Sequence, residues 1–310
     1  MVTDPRRRVQ LMSVSSVGAN DKRKRKARRM PGALAIGSSI DKYRIEEILG
    51  YGAFATVYRA KHMILQKNVA LKVLHRHLLD KDPRFVDLLC EESRHTAQLD
   101  HPNVVRVFDV TRTSGIAYIV LEWVDGDTLR RRVRNSGGLP VDETVAVARD
   151  MCAGLEAALE RGLIHRDVKP SNVLLHKGGA KIIDLGLARH EFAKVSALGR
   201  DAVVGTPGYM APEQASSASD VDCRADIYSL GATLYYALSG RLPLMVKTVQ
   251  DVRRLGPADV PRPLQDLVPG IPAGLSDVVQ SMLDYEPRNR PESYTAFLDA
   301  LQEIERAAGC

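Results

Sequence analysis

The chain has 310 residues, with 44 Lys/Arg against 38 Asp/Glu, a formal net charge of +6 and a sequence pI near 9.1. An apolar share of 45% with 26% charged residues excludes a collagenous or wholly disordered chain, and the length calls for two domains or one domain of two lobes. Residues 1–40 hold ten Lys/Arg and two acids, so the other 270 residues carry a net −2 and overall basicity gives no reason to expect a nucleic-acid-binding body.

Residues 1–40 contain Arg6-Arg7-Arg8, a run from Lys22 to Lys26 with Arg28 and Arg29, and a Pro31-Gly32 breaker, without sustained periodicity. This predicts a disordered arm with a linker reaching Ser39, either a solvated extension or a contact for an anionic partner: nucleic acid, anionic lipid or an acidic protein. No apolar segment of signal-peptide type follows the charges.

From Tyr43 the pattern changes. Tyr43–Leu49, Thr56–Lys61 and Asn68–Leu74 read as strands, Pro83–Leu99 as a helix, and Val104–Val110 and Ala117–Trp123 as two more strands. That is a small, mostly antiparallel sheet with one helix. Beyond Asp125-Gly126, helical periodicity dominates, over Val141–Glu160, Arg224–Ser239, Leu275–Leu283 and Tyr294–Ala307. A β-rich lobe (about 41–121) therefore precedes an α-rich lobe (about 127–306), joined by a hinge at 122–126, with 307–310 as a tail. The fold class is α+β, and its two lobes make a cleft.

Ile227–Gly240 is an uncharged run of fourteen residues. A membrane-spanning helix needs about 20 apolar residues, so this run is predicted to be a buried core helix, and no transmembrane segment is expected. Cys90, Cys152, Cys223 and Cys310 form no C-x-x-C pair. That argues against a zinc ribbon or disulfide scaffold and fits a cytoplasmic protein.

Three motifs carry chemistry. Leu49-Gly50-Tyr51-Gly52-Ala53-Phe54-Ala55-Thr56-Val57 lies between two predicted strands. Glycines there let backbone N–H groups approach phosphates, although an ordinary hairpin turn has the same look. A dinucleotide fingerprint needs a helix after the glycines, and here a strand follows. Val69-Ala70-Leu71-Lys72 places a lysine on the third strand. His165-Arg166-Asp167-Val168-Lys169-Pro170-Ser171-Asn172 is followed twelve residues later by Asp184-Leu185-Gly186. Phosphoryl transfer needs hard oxygen ligands for Mg²⁺ and a carboxylate that orients a hydroxyl. Asp184, Asn172 and Asp167 supply those groups.

With these motifs in this order, the chain resembles eukaryotic-type serine/threonine protein kinases, bacterial members above all, over roughly Tyr43–Arg306. The resemblance implies a bilobal protein kinase-like fold and transfer of the ATP γ-phosphoryl group to Ser/Thr hydroxyls of proteins, the chain itself included. It implies ATP with Mg²⁺, or Mn²⁺ in its place. The implied ATP-binding set is Leu49, Gly50, Gly52, Val57, Ala70, Lys72, Glu92, Leu121, Glu122, Val124 and Leu174. Glu92 would pair with Lys72, and adjacent Glu91 points elsewhere on the helix. Leu121 falls at the gatekeeper, and the backbone of Glu122, Trp123 and Val124 would bind adenine. Asp167 would orient the hydroxyl, Lys169 would neutralise the transferring group, and Asn172 and Asp184 would ligate the metal. Gly205–Glu213 resembles the segment closing the activation loop, with Glu213 paired to Arg290. Lys169 and Thr206 resemble the Ser/Thr-specific pattern. A kinase-domain dimer is a further implication.

The sequence departs from the family pattern in three places. Ala55 replaces the third loop glycine, and Leu185 replaces phenylalanine, with Thr96 expected near Leu185, Val107 and His165. Between residues 187 and 204 the one hydroxyl is Ser196; Leu198 and Arg200 stand where relatives place phosphoacceptor threonines. Arg166 would normally receive that phosphate. The expectation is activity without the usual loop phosphorylation, with Asp201 or Glu191 substituting; phosphorylation of Ser196 is the alternative.

Overall fold

Alternating apolar side chains and β-branched residues set the first half of the chain as a sheet. The computed structural model describes residues 33–81, 84–113, 115–185, 207–216 and 221–308. Strands β1 (Ser39–Ile40), β2 (Tyr43–Tyr51), β3 (Ala55–His62), β4 (Asn68–Leu74), β5 (Val107–Thr113) and β6 (Ile116–Glu122) form one antiparallel sheet in the order β1-β2-β3-β4-β6-β5. Val69, Leu71 and Val73 of β4 join Tyr58, Tyr118 and Val120 in a core on one face. On the other face Leu74 packs with Phe54, Ala117 and Ile119 under α1 (Arg76–Lys81) and α2 (Arg84–Ala97). Because strand side chains alternate, Lys72 shares the second face with Ala70 and Leu74.

Beyond the hinge come β7 (Gly126–Thr128), α3 (Leu129–Ser136), α4 (Val141–Leu159), β8 (Val173–His176) and β9 (Gly179–Ile182). They are followed by α5 (Pro212–Ser216), α6 (Cys223–Ser239), α7 (Val249–Arg253), α8 (Ala273–Met282) and α9 (Tyr294–Ala308). β7, β8 and β9 make a three-stranded antiparallel sheet. α4, α6, α8 and α9 bury Met151, Leu155, Tyr235 and Phe297 between them. The uncharged run lies within α6, which is buried along its length; Asp222 caps its start, and Gly240, at φ 68°, ends it in the left-handed conformation. Among the described residues no helix is long and apolar enough to cross a membrane.

The structure revises several expected boundaries. Residues 34–40 were expected to belong to the arm, but Leu34 packs against the sheet core and its N–H donates to Tyr58 Oη at 3.0 Å. Val104 and Val105 do not begin β5. They bond across to the second lobe, with Val105 N–H on the Ile182 carbonyl at 2.9 Å and Ile182 N–H on the Asn103 carbonyl at 2.7 Å. The first lobe carries two helices rather than one. Helix α3 was not expected either, since only Leu129 and Val133 of its eight residues are buried.

Candidate active site

The site is built from strand ends and turns that meet at the cleft. The β2–β3 turn is closed by the Gly52 N–H on the Ala55 carbonyl at 2.8 Å. A Cβ on Gly50 would meet no atom within 4 Å, so packing does not require glycine there. Its use is a bare backbone that a ligand can approach closely. Phe54, at the turn, is buried against Leu74, Leu78 and Val86. Leu49 lies two residues before the end of β2, and Val57 pairs with Gly50 and Lys72 in the sheet.

Lys72 Nζ donates to Asp184 Oδ1 at 2.8 Å. Asp184 follows β9 and has φ 57°, a left-handed conformation that costs a non-glycine residue energy and is held by its surroundings. Burial pulls the Asp184 carboxyl up, but the charge and hydrogen bond of Lys72, with His165 and Lys169 beyond, outweigh it and hold the group below its ordinary value. Glu92 lies on α2, but its side chain is outside what the structure describes; Glu91 is exposed.

The 165–172 segment is fixed from below. The buried Asp226 of α6 accepts from the His165 and Arg166 N–H groups, both at 2.7 Å. Arg166 takes φ 60° between them. Lys169 Nζ contacts both Asp167 carboxylate oxygens at 2.8 Å. Asn172 Nδ2 donates to the Asp167 carbonyl and to Asp167 Oδ2, each at 2.9 Å. The Ile183 N–H donates to the Asn172 carbonyl at 2.9 Å, which ties this network to the chain entering Asp184. Burial pulls the Lys169 ammonium down to about 8, with Arg130 and Lys72 acting the same way and Asp184 opposing. The Asp167 oxygens at 2.8 Å also favour the cation, so Lys169 is charged at neutral pH.

The donor set suits a hard cation. Both hydrogens of Asn172 Nδ2 are committed to Asp167, so Oδ1 is the amide atom left to face a ligand. Asp184 gives Oδ1 to Lys72 and keeps a second oxygen. Among the described residues no group of three or more His, Cys, Asp or Glu forms a cage. Two protein oxygens completed by phosphate and water is the coordination Mg²⁺ prefers.

At the hinge, Ala70 pairs with Leu121 across β4 and β6, and Val124 is buried beyond the end of β6. Leu174 lies on β8, opposite Thr128 and Lys181. Deeper in the second lobe Arg290 pairs with Glu213 through bonds of 2.6 and 2.9 Å. Its other N–H groups donate to the carbonyls of Asp284, Arg224 and Tyr285. Leu185 is buried with Leu99, Ala158 and Leu163, and Thr96 is buried on α2. Gly186, Glu191, Ser196, Leu198, Arg200, Asp201 and Thr206 lie outside the described residues. The sequence reading missed Gln214, which bridges the Ala211 N–H and the Arg166 carbonyl, both at 3.0 Å. It also assigned no role to Asp226.

A bilobal fold with this lysine–aspartate pair and this Asp-Lys-Asn network defines the class. The sequence profile of the protein kinase domain matches residues 43–302, and the chain belongs to the protein kinase domain family. It is 37% identical over 255 residues to the serine/threonine-protein kinase PknB of Mycobacterium leprae, covering 81% of this chain and 41% of that protein. It is 35% identical over 272 residues to the serine/threonine-protein kinase Pkn1 of Myxococcus xanthus, covering 86% of this chain and 39% of that one. The chain thus spans about two fifths of the length of these relatives. The crystal structure of the Mycobacterium tuberculosis PknI kinase domain superposes with a TM-score of 0.68 at 30% identity, covering 88% of this chain and all of that one.

Proposed function

We propose that this chain is an ATP-dependent protein serine/threonine kinase that also phosphorylates itself. The observation that carries the reading is the contact between Lys72 and Asp184 at 2.8 Å, beside Asp167 held by Lys169 and Asn172. In the reaction a substrate hydroxyl oxygen forms a bond to the γ-phosphorus, the bond from that phosphorus to the β-bridging oxygen breaks, and ADP leaves. Asp167 orients the hydroxyl and takes its proton. Lys169 offsets charge on the transferring group, and Lys72 holds the α- and β-phosphates under the Gly50–Val57 turn. Asn172 Oδ1 and Asp184 would hold Mg²⁺, with Mn²⁺ as a substitute; the bound ion supplies positive charge to the phosphates. Most of the acceleration comes from positioning and electrostatics. Label transfer from γ-labelled ATP to a Ser/Thr protein, abolished in Asp167→Asn, tests the reading. Nucleotide binding without transfer would make the chain a scaffold instead.

Regulation and partners belong to the same reading. Activity does not require loop phosphorylation, because Ser196 is the one hydroxyl between residues 187 and 204; a loss of several orders of magnitude in Ser196→Ala would contradict this. A kinase-domain dimer is supported by the β3–β4 tip, where Ile64 is 79% and Leu65 63% exposed. The basic N-terminal arm meets an anionic partner, and the protein works in the cytoplasm.

A further inference from the structure

Adjacent hinge residues are tied to opposite lobes. Glu122 ends β6, and its Oε2 lies 3.1 Å from Lys181 Nζ on β9, in the second lobe. The same oxygen accepts the Arg106 N–H at 3.2 Å, while the Glu122 N–H donates to the Arg106 carbonyl at 2.9 Å. The pair is largely sheltered, with Lys181 12% and Glu122 25% exposed. The next residue, Trp123, has its ring 5.7 Å from the guanidinium of Arg59 on β3, in the first lobe. Arg59 is itself held by Glu46 at 3.4 Å and Glu47 at 3.5 Å. The two side chains reach partners in different lobes, Lys181 in the second and Arg59 in the first, so together the ties fix the roll of the hinge backbone between them. Lys181 is also the cross-strand neighbour of Leu174 in β8.

We infer that Lys181 and Arg59 are positioning residues for ATP, acting through the side chains of Glu122 and Trp123 to set how the hinge backbone meets the adenine. The inference rests on the ATP-binding reading above. The Glu122 N–H is spent on Arg106 and is closed to a base; the backbone groups left to meet adenine are among the remaining ones of Glu122, Trp123 and Val124. Their direction depends on the roll that the two ties fix. Lys181 itself touches neither phosphate nor hydroxyl in this scheme. Its loss therefore weakens ground-state and transition-state binding equally, and appears in KM rather than kcat.

Trp123 is the only tryptophan in the chain, so its fluorescence reports the hinge directly. The test titrates ADP into the whole protein by Trp123 emission and measures kcat and the ATP KM for wild type, Lys181→Met, Lys181→Arg and Arg59→Gln. Lys181→Met raises the ADP Kd and the ATP KM about tenfold with kcat within about twofold. Lys181→Arg, which restores a cation opposite Glu122, returns both to within about threefold of wild type. Arg59→Gln shifts the Trp123 emission and raises the ATP KM in the same direction, and it serves if Lys181→Met does not fold. Wild-type nucleotide affinity in Lys181→Met and Arg59→Gln, or a fall in kcat at unchanged KM, overturns the inference. A wild-type protein that binds no nucleotide overturns the ATP reading, and this inference with it.

Discussion

Lys72 and Asp184, 112 residues apart in sequence, meet at 2.8 Å. The contact joins the middle of the first-lobe sheet to the end of β9 and holds the Asp184 carboxyl below its ordinary value against the pull of burial. Lys72→Met removes that cation. The Asp184 carboxyl then moves up, and turnover falls by at least about a hundredfold, the usual scale for losing one electrostatic group at a reacting centre. Phosphotransfer by the purified variant, with its melting temperature as a folding control, checks this.

Asp167 is the carboxylate to which both Lys169 and Asn172 donate. Asp167→Asn keeps the shape but replaces one acceptor oxygen with a donor facing Lys169. Turnover falls by at least about a hundredfold while nucleotide affinity stays near wild type. Steady-state kinetics with a fluorescence titration of ADP separates the two.

Burial shifts His165 and Asp226 in opposite directions. Burial pushes the Asp226 carboxyl up to about 6 from 3.8, although the two backbone N–H groups and Tyr294 oppose it. In that window the folded state holds a proton that the unfolded chain has lost, so this group's contribution to stability declines as pH rises from about 4 to about 6. Burial pushes His165 down to about 4 from 6.5, so its contribution declines in the other direction, as pH falls from about 6.5 to about 4. The two slopes largely cancel in the wild type. Relative to wild type, His165→Phe loses stability as pH rises from 4 to 6.5, and Asp226→Asn gains it, each by on the order of 2 kcal/mol. Urea unfolding at the two pH values reads both slopes; parallel lines for either variant would contradict the assignment.

Arg290 uses all five of its N–H groups: two on Glu213 and one each on the carbonyls of Asp284, Arg224 and Tyr285. Lysine has three donors and no fork. Arg290→Lys therefore leaves buried acceptors unmet and destabilises the protein by about 3 kcal/mol. Chemical denaturation measures it, and a loss under about 1 kcal/mol would show that Glu213 does not depend on the fork.

Much of this was legible in the sequence because local pattern and chemistry coincide there. The strand through Asn68–Leu74 has the expected bounds, with Lys72 on the face its alternation assigns. The uncharged run at Ile227–Gly240 is short of a membrane span, which favours the buried helix that the structure shows. What was illegible depends on contacts between distant residues. β7 has three residues and pairs with β8 some fifty positions later, too short for a periodic signal. Its Gly126 is required because a Cβ would collide with the Leu175 carbonyl, a constraint invisible locally. Val104 and Val105 look like strand residues, and they are bonded as such, but to β9 of the other lobe. Asp226 reads as an ordinary acid in a first helical turn; its role appears only when the 165–166 backbone is brought over it.

The central claim is transfer of a phosphoryl group to a hydroxyl. The most direct test incubates the purified chain with Mg²⁺ and ATP, alone and with a Ser/Thr-containing protein, and maps phosphosites by mass spectrometry beside an Asp167→Asn control. The account predicts phosphoserine or phosphothreonine in the wild type and none in the control. Bound nucleotide with no phosphosite, or the same sites in the Asp167→Asn protein, would contradict it.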